Sequence, residues 1–127
     1  MSIRSFTELE AWKKARQLRK DISELTKSFP ADEKYNLVSQ TKRSSRSVTA
    51  NIAEGYGRFH YQENIQFCRI SRGSLTETLD HLIVAFDEEY IDETTLKSFE
   101  SKLGECLKIL NGYISYLQKA KERPDNQ

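Results

Sequence analysis

The chain has 127 residues, of which 37% are hydrophobic and 31% are charged, and its formal net charge is +1. This length is typical of one domain and suffices for a hydrophobic core without metal ions or disulfide bonds. Two prolines and five glycines exclude a collagen-like chain and a Pro/Gly-rich disordered chain. We expect one folded domain over residues 1–121 and a disordered tail over residues 122–127.

The charges are unevenly distributed along the chain. Residues 1–72 contain 14 Lys/Arg and 8 Asp/Glu, a net charge of +6, whereas residues 73–127 contain 6 and 11, a net charge of −5. A strongly basic chain would indicate nucleic-acid binding through the release of counterions. A net charge of +1 gives no such indication, so the positions of the charges must carry that argument.

The first predicted helix opens at Thr7, which lies three residues before Glu10 in the spacing of a capping box. Apolar residues then recur every three or four positions as far as Phe29, which is the period of one helix face. We expect Pro30 to end this helix, because proline disfavours helical geometry in the residue before it.

The second predicted helix begins near Asp32 and ends at Gly55 or Gly57. It is unusually rich in small and hydroxyl-bearing residues, namely Thr41, Ser44, Ser45, Ser47 and Ala50. Small side chains let neighbouring backbones approach closely. We therefore expect this helix to pack tightly, including against another subunit.

The third helix is predicted over Tyr61–Glu89, and the fourth from Asp92, a suitable N-cap, to Lys121. Apolar residues of the fourth helix alternate at steps of three and four, as in coiled-coil packing. Short connections make neighbouring helices antiparallel. The sequence therefore predicts an all-α, up-down-up-down antiparallel four-helix bundle.

Cys68 and Cys106 lie on the apolar stripes of the third and fourth helices, and the sequence contains no zinc-like Cys/His spacing. We expect both to be buried free thiols in a reducing compartment. The N-terminal segment lacks the apolar core of a secretory signal, and no apolar run is long enough for a membrane span. We therefore expect a cytoplasmic protein with no membrane contact.

A polar stripe follows one side of the second helix at steps of three and four residues. It consists of Arg43, Ser47, Asn51, Glu54 and Arg58, and we expect Glu77 of the third helix beside it. One interpretation is a site for a ligand or a partner. The other, which we favour, is an ion-pair network that fixes helix register or subunit pairing.

One end of the predicted bundle collects basic residues, because both termini and the connection between the second and third helices lie there. We call it the basic end, and its candidate nucleic-acid contacts are Lys13, Lys14, Arg58, Lys119, Lys121 and Arg123. Tyr56, Phe59 and Tyr61 lie nearby, so the end offers both phosphate neutralisation and base stacking. The alternative is that these charges only complement helix dipoles, which accounts for those in the terminal turns.

The motifs of common catalytic and cofactor sites are absent from the sequence. Neither histidine, His60 or His81, follows a glutamate by three positions, as the di-iron site of a helical bundle requires. The sequence has no Gly-Lys-Ser/Thr phosphate loop, dinucleotide loop or serine nucleophile elbow. We expect no enzyme activity, no cofactor and no metal ion.

Three segments of the sequence resemble a known family. They are FTELEAWKKA, FPADEKYNLVSQTKRSSRSVTANIAEGYGR and FCRISRGSLTETLDHL. These segments are similar to small four-helix-bundle proteins encoded in intervening sequences of bacterial 23S ribosomal RNA genes. The resemblance extends from Phe6 to Leu117, and its most specific parts are NIAEGYGR and GSLTE.

The resemblance implies a homopentamer of four-helix bundles without enzyme activity. It also implies a relation to accessory proteins of diversity-generating retroelements, similar pentameric barrels that bind nucleic acid and a reverse transcriptase. Those relatives are strongly basic, whereas this chain carries a net charge of +1. The family-motif positions, for which we expect a structural or interface role, are Arg43, Asn51, Glu54, Gly55, Arg58, Gly73, Ser74 and Glu77.

Two functional hypotheses follow from the residues and the resemblance together. The first is a homo-oligomer that binds RNA or a nucleic-acid-processing protein through the basic end. The second is a protein-interaction scaffold or accessory subunit that does not contact nucleic acid.

Overall fold

The computed structural model of the chain describes residues 5–123, which form four α-helices and no β-strand. The helices are α1 (Glu10–Thr26), α2 (Leu37–Tyr56), α3 (Tyr61–Asp87) and α4 (Glu93–Lys121). The predicted all-α class with four helices is therefore confirmed. Residues 124–127 of the predicted disordered tail lie outside the described residues.

The boundaries of the first two helices differ from the prediction. Thr7 lies in a 3₁₀ turn, Phe6–Glu8, in which the Ser5 hydroxyl accepts a hydrogen bond from the Thr7 N–H at 3.1 Å. α1 therefore begins only at Glu10, and it ends at Thr26 instead of Phe29. The Phe29 N–H bonds to the carbonyl of Thr26, three residues back, so the chain leaves the α-helix in a tightened turn before Pro30.

α2 begins five residues later than the prediction, at Leu37 instead of Asp32, because a second 3₁₀ turn occupies Ala31–Glu33. The Glu33 carboxylate accepts a hydrogen bond from the Leu37 N–H at 3.2 Å and so satisfies a free donor of the first helical turn. A glutamate four residues before a helix is not the usual capping pattern. The sequence pattern therefore placed this start too early.

The connection between α3 and α4 has a defined geometry at both helix ends. The backbone angle φ of Glu89 is +65°, and the Tyr90 N–H donates to the Ala85 carbonyl at 2.8 Å. This is the pattern of a Schellman cap at the end of α3. At the start of α4 the Asp92 carboxylate accepts a hydrogen bond from the Thr95 N–H at 2.8 Å, which lowers the pKa of Asp92. The predicted N-cap of α4 is confirmed.

All four helices contribute to the hydrophobic core. Its fully buried members include Ile22, Ile52, Leu82 and Leu110. Cys68 and Cys106 are also fully buried and are free thiols, and burial raises the pKa of each thiol to about 11. The predicted burial of both cysteines is confirmed.

α2 and α3 approach each other through small and polar residues. The hydroxyls of Ser44 and Thr78 share a hydrogen bond of 2.8 Å, and the Ser71 hydroxyl donates to the Val48 carbonyl at 2.8 Å. A Cβ atom on Gly55 would lie 2.7 Å from Asn64 Oδ1 and 3.0 Å from both the Asn64 carbonyl oxygen and the Phe67 Cβ atom. The pair of helices therefore has no room for a side chain at Gly55.

A smaller apolar cluster lies away from this contact and joins two connecting segments. It consists of Phe29, Leu37, Ala85 and Ile91. The Tyr90 hydroxyl donates to the Glu33 carboxylate at 2.7 Å, which ties the α3–α4 turn to the α1–α2 connection. These contacts bring the α1–α2 connection and the α3–α4 turn together. The hydrogen bond between Asn64 and Tyr113 lies in another part of the fold.

We expect the substitution Gly55→Ala to lower the free energy of unfolding by about 1–3 kcal/mol, because the new methyl group forces α2 and α3 apart. Gly112→Ala is the matched control, since nothing lies within 4 Å of its added Cβ. This control should raise the free energy of unfolding by about 0.5–1 kcal/mol through helix propensity. Urea unfolding measures both changes, and a stabilising Gly55→Ala would contradict the close approach.

Candidate functional site

The centre of the polar stripe is a hydrogen-bonded group on the outer side of α2 and α3. Asn51 Nδ2 donates to both the carbonyl and the hydroxyl oxygen of Ser47, at 2.9 Å each. The Ser74 hydroxyl donates to the same Ser47 hydroxyl at 2.9 Å. The Ser74–Ser47 bond therefore joins the two helices, and Asn51 holds Ser47 in place from within α2.

A second group surrounds Arg58, just beyond the C-terminus of α2. Its guanidinium lies 3.1 Å from the Glu54 carboxylate and 3.8 Å from the Glu63 carboxylate, and its Cζ atom lies 4.8 Å from the centre of the Phe67 ring. Arg58 therefore holds the short α2–α3 connection in place from both helices. This arrangement supports the structural interpretation of Glu54 and Arg58.

The remaining stripe residues do not join these two groups. Glu77 pairs with His81, one turn further along α3, with 3.2 Å between Oε2 and Nε2. Arg43 is exposed and has no ion-pair partner within residues 5–123. The predicted continuous network is thus divided into separate pairs, and Arg43 stands apart from them.

Gly73 has no packing role within the single chain. A Cβ atom at this position would meet nothing within 4 Å, although glycine inside a helix lowers stability by about 1 kcal/mol relative to alanine. Ile70 lies one turn away on α3 and is 52% exposed. We name this surface the α2–α3 face and define it by Ser47, Asn51, Glu54, Ile70, Gly73, Ser74 and Glu77.

Half of the candidate cations of the basic end pair with carboxylates. Lys13 pairs with Glu10 at 3.5 Å, and Lys14 pairs with Glu105 at 2.8 Å, which raises the pKa of Lys14 and lowers the pKa of Glu105. The Lys14 pair lies on the side of the bundle where α1 meets α4. Three of the six candidate contacts, counting Arg58, are therefore neutralised by carboxylates.

The C-terminal cations are placed differently. Lys121 donates a hydrogen bond to the side chain of Gln62 and keeps its charge unneutralised. Lys119 and Arg123 are exposed and have no carboxylate partner within the described part of the chain. The rings of Phe59 and Tyr116, exposed by 86% and 59%, belong to the same end of the molecule.

A hollow of about 330 Å³ opens at this end, and its lining includes Arg58, Phe59, His60, Tyr113 and Tyr116. The rings of Tyr113 and Tyr116 are stacked with their centres 6.4 Å apart. The ring centres of Phe59 and His60 lie 4.7 Å apart, and the two rings are in edge-to-face contact. Aromatic rings and the Arg58 guanidinium therefore line one hollow.

Asn64, a buried polar residue on α3, was not among the predicted site residues. Its Nδ2 donates to the Tyr113 hydroxyl at 3.1 Å, and its Oδ1 accepts from the Cys68 thiol at 3.5 Å. Burial raises the pKa of Tyr113 to about 12. The sequence signal that could have identified Asn64 is its position next to Ile65, where a polar residue adjoins an apolar stripe.

Metal-binding and membrane-spanning features are absent from the described structure. Within residues 5–123, no group of three or more His, Cys, Asp and Glu side chains could hold a metal ion. None of the helices in this range contains an apolar stretch long enough to cross a membrane.

The fold and the surface together place the chain in the class of small all-α proteins, with a polar α2–α3 face. Residues 7–112 match the family described as 23S rRNA-intervening sequence protein, and the chain belongs to this family. The fold is similar to that of a protein of unknown function from the S23 ribosomal protein family of Bacteroides thetaiotaomicron. That similarity has 24% sequence identity and a TM-score of 0.76, and it covers 83% of this chain and 95% of the other. No curated protein matches the sequence.

The raised pKa of the half-buried Tyr113 gives a testable pH dependence. Because its pKa is about 12 in the folded chain and about 10 when unfolded, its contribution to stability is complete below pH ~10 and is lost as the pH rises to about 12. We expect Tyr113→Phe to lose less stability than the wild type between these two pH values. Thermal melts across the range test this, with exposed Tyr35→Phe as control. Equal losses in wild type and Tyr113→Phe would contradict the burial of this hydroxyl.

Proposed function

We propose that the protein is a non-catalytic, self-assembling helical bundle that binds RNA or a ribonucleoprotein through its basic end. The observation that carries the proposal is the placement of Lys119 and Arg123, unneutralised, at the end that exposes the Phe59 and Tyr116 rings. Cations bind phosphates and release their counterions, and exposed rings stack on bases.

The proposal takes the helices as an up-down-up-down antiparallel bundle in the cytoplasm. Contacts between α2 and α3 support this topology, because Ser44 meets Thr78 whereas Gly55, further along α2, meets Asn64, earlier on α3. Two buried free thiols support a reducing compartment.

The non-catalytic part of the proposal is supported by the partners of the titratable groups. His81 pairs with Glu77, and Arg58 pairs with Glu54 and Glu63, in contacts that explain local structure. Arg58 lines a hollow, but that hollow is open to the surface, unlike the enclosed apolar pockets in which enzymes hold substrates.

We propose that copies of the chain assemble through the α2–α3 face, as a pentamer, which is what the family resemblance implies. Gly73 has open space around it, and the exposed side chains of Ile70 and Val84 lie on the same helix. A second backbone could approach closely at Gly73, so assembly would account for a glycine that the single chain does not need.

A protein-interaction scaffold without nucleic-acid contact is the second candidate function. The exposed side chains of Ile70 and Val84, 14 residues apart on one side of α3, favour it, because a partner helix could occupy this face in place of a second copy. Copurification with one specific protein, unchanged by nuclease treatment, would support the scaffold over the RNA-binding function.

The role of Gly73 in assembly can be tested with a long side chain. We expect Gly73→Gln to convert the assembled protein to monomers, because the added side chain occupies the approach of the partner while the single chain accommodates it. Gly112→Gln is the control, since Gly112 is another exposed helical glycine with open space around it. Sedimentation velocity measures both masses. Equal masses for the two variants, or a monomeric wild type at tens of micromolar, would contradict the proposed interface.

The basic end can be tested by charge reversal. The variant contains Lys119→Glu, Lys121→Glu and Arg123→Glu. We expect it to bind a fluorescently labelled structured RNA at least about 10-fold more weakly than the wild type near 50 mM salt, because three phosphate contacts become repulsive.

The matched control reverses three exposed cations elsewhere, with Arg69→Glu, Lys97→Glu and Lys108→Glu. Because both variants change the net charge equally, a general electrostatic effect would weaken them equally. Such an equal loss would remove the basic end as the RNA site.

A further inference from the structure

The adjoining sides of α1 and α2 carry a strip of cations that the proposed function does not use. We call it the α1–α2 strip, and it consists of Arg16, Arg19 and Lys20 of α1, Lys34 of the connection, and Lys42 and Arg46 of α2. α2 contains no acidic residue before Glu54. Much of the excess positive charge in the first 72 residues is therefore placed on one surface.

A direct bond between the two helices brings these cations together. Arg19 Nη1 donates to Thr49 Oγ1 at 2.9 Å, so the outward side of α1 lies beside that of α2. Arg16 and Arg19 are separated by three residues, and Lys42 and Arg46 by four, so the helical rise places each pair about 4.5–6 Å apart along its axis. The α1 cations lie near the Arg19–Thr49 contact, and Arg46 and Lys42 lie between it and the α1–α2 connection, so the charges follow one another along the two helices.

The strip cations lack the carboxylate partners that the other cations of α1 and the adjoining Lys27 have. Lys13 and Lys14 pair with carboxylates as described above, and Lys27 Nζ lies 2.8 Å from the Glu24 carboxylate. Each of these three lysines is therefore within 4.0 Å of a carboxylate oxygen. Among the described residues, no carboxylate lies that close to any of the six strip cations. Their charge is therefore available to an external anion.

An exposed aromatic ring stands at one end of the strip. Tyr35 is 82% exposed, and Lys34 Nζ lies 5.3 Å from the centre of its ring. Lys34 and Tyr35 border an open hollow of about 500 Å³ whose other side includes Lys42 and Arg46. A base that stacks on this ring would place its phosphates near these cations.

We infer that the α1–α2 strip binds the phosphate backbone of single-stranded RNA, with Tyr35 stacking on a base. The inference rests on the proposed function for the choice of RNA, and it adds a second contact surface away from the basic end. Arginine side chains pair with phosphate in bidentate geometry, and Arg19 uses one of its five N–H donors for Thr49. The exposed ring favours an unpaired strand, because bases inside a duplex do not offer their faces.

The test neutralises four strip residues and leaves Arg19, which bonds to Thr49, unchanged. The strip variant contains Arg16→Gln, Lys20→Gln, Lys42→Gln and Arg46→Gln. The control variant removes the same charge elsewhere, with Lys27→Gln, Arg69→Gln, Lys97→Gln and Lys108→Gln. Both are titrated into a fluorescein-labelled 20-nucleotide oligouridine across a salt series, and circular dichroism checks that both remain helical.

We expect the strip variant to bind at least about 10-fold more weakly than the control near 50 mM salt. Its slope of log K against log salt should be smaller than that of the wild type by about 3, because four phosphate contacts to a single strand are lost. Equal affinities for the strip and control variants would overturn the inference.

A crosslink on the unaltered protein provides a test that does not depend on a variant's stability. Oligouridine with 4-thiouridine should crosslink at Tyr35 under ultraviolet light, and crosslinks confined to the basic end would overturn the inference. A 20-base-pair duplex that binds as tightly as the strand would overturn the preference for single strands.

The basic-end variant, titrated beside the strip variant, separates this inference from the proposed function. Loss of binding only in the strip variant would support the strip and remove the basic end as the RNA site. Loss only in the basic-end variant would overturn the strip and leave the proposed function in place. A wild type that binds neither strand nor duplex would overturn both.

Discussion

The close approach of α2 to α3 at Gly55 is the constraint on which the rest of the structure depends. A side chain at this position would collide with Asn64 and Phe67, so the two backbones fix each other's separation and rotation. The hydrogen bonds of Ser44 with Thr78 and of Ser71 with Val48 maintain the same geometry further along. This register determines which side chains of the two helices remain outside.

The outward groups that result are of two kinds. Some are satisfied within the chain, such as the Ser47, Asn51 and Ser74 group and the Arg58 cluster, and these stabilise the helix pair. Others have no partner in the single chain. Nothing fills the space around Gly73, and Lys119 and Arg123 have no carboxylate partner among the described residues. We propose that the second kind serves contacts outside the chain, whereas the first kind accounts for several family-motif positions within the chain.

Periodicity and capping chemistry predicted much of the fold. The four helices, the burial of Cys68 and Cys106 and the Asp92 cap all follow from local patterns. The start of α2 does not follow from a local pattern. It depends on Glu33 in the preceding 3₁₀ turn, and the Glu33 carboxylate also accepts a hydrogen bond from Tyr90, which lies 57 residues further along the chain. Such a contact between distant segments has no signal in a local window.

The candidate site was predictable only in part, for a related reason. The spacing of the polar stripe correctly placed Ser47 and Asn51 together, but it could not tell which residue pairs with which. Arg58 interacts with Glu63 across the α2–α3 connection, and Lys14 interacts with Glu105 on α4. Because these partners come from other helices, the number of unneutralised cations at the basic end becomes known only from the folded chain.

The measurement that tests the account most directly is a titration of labelled structured RNA with the wild-type protein across a salt series. The account predicts micromolar or tighter binding that weakens steeply as salt rises, because phosphates are neutralised by exposed cations. No binding near 50 mM salt, where such contacts are strongest, would contradict it. The unpartnered cations would then serve solubility and helix-dipole complementation, and the α2–α3 face would remain as the surface for a protein partner.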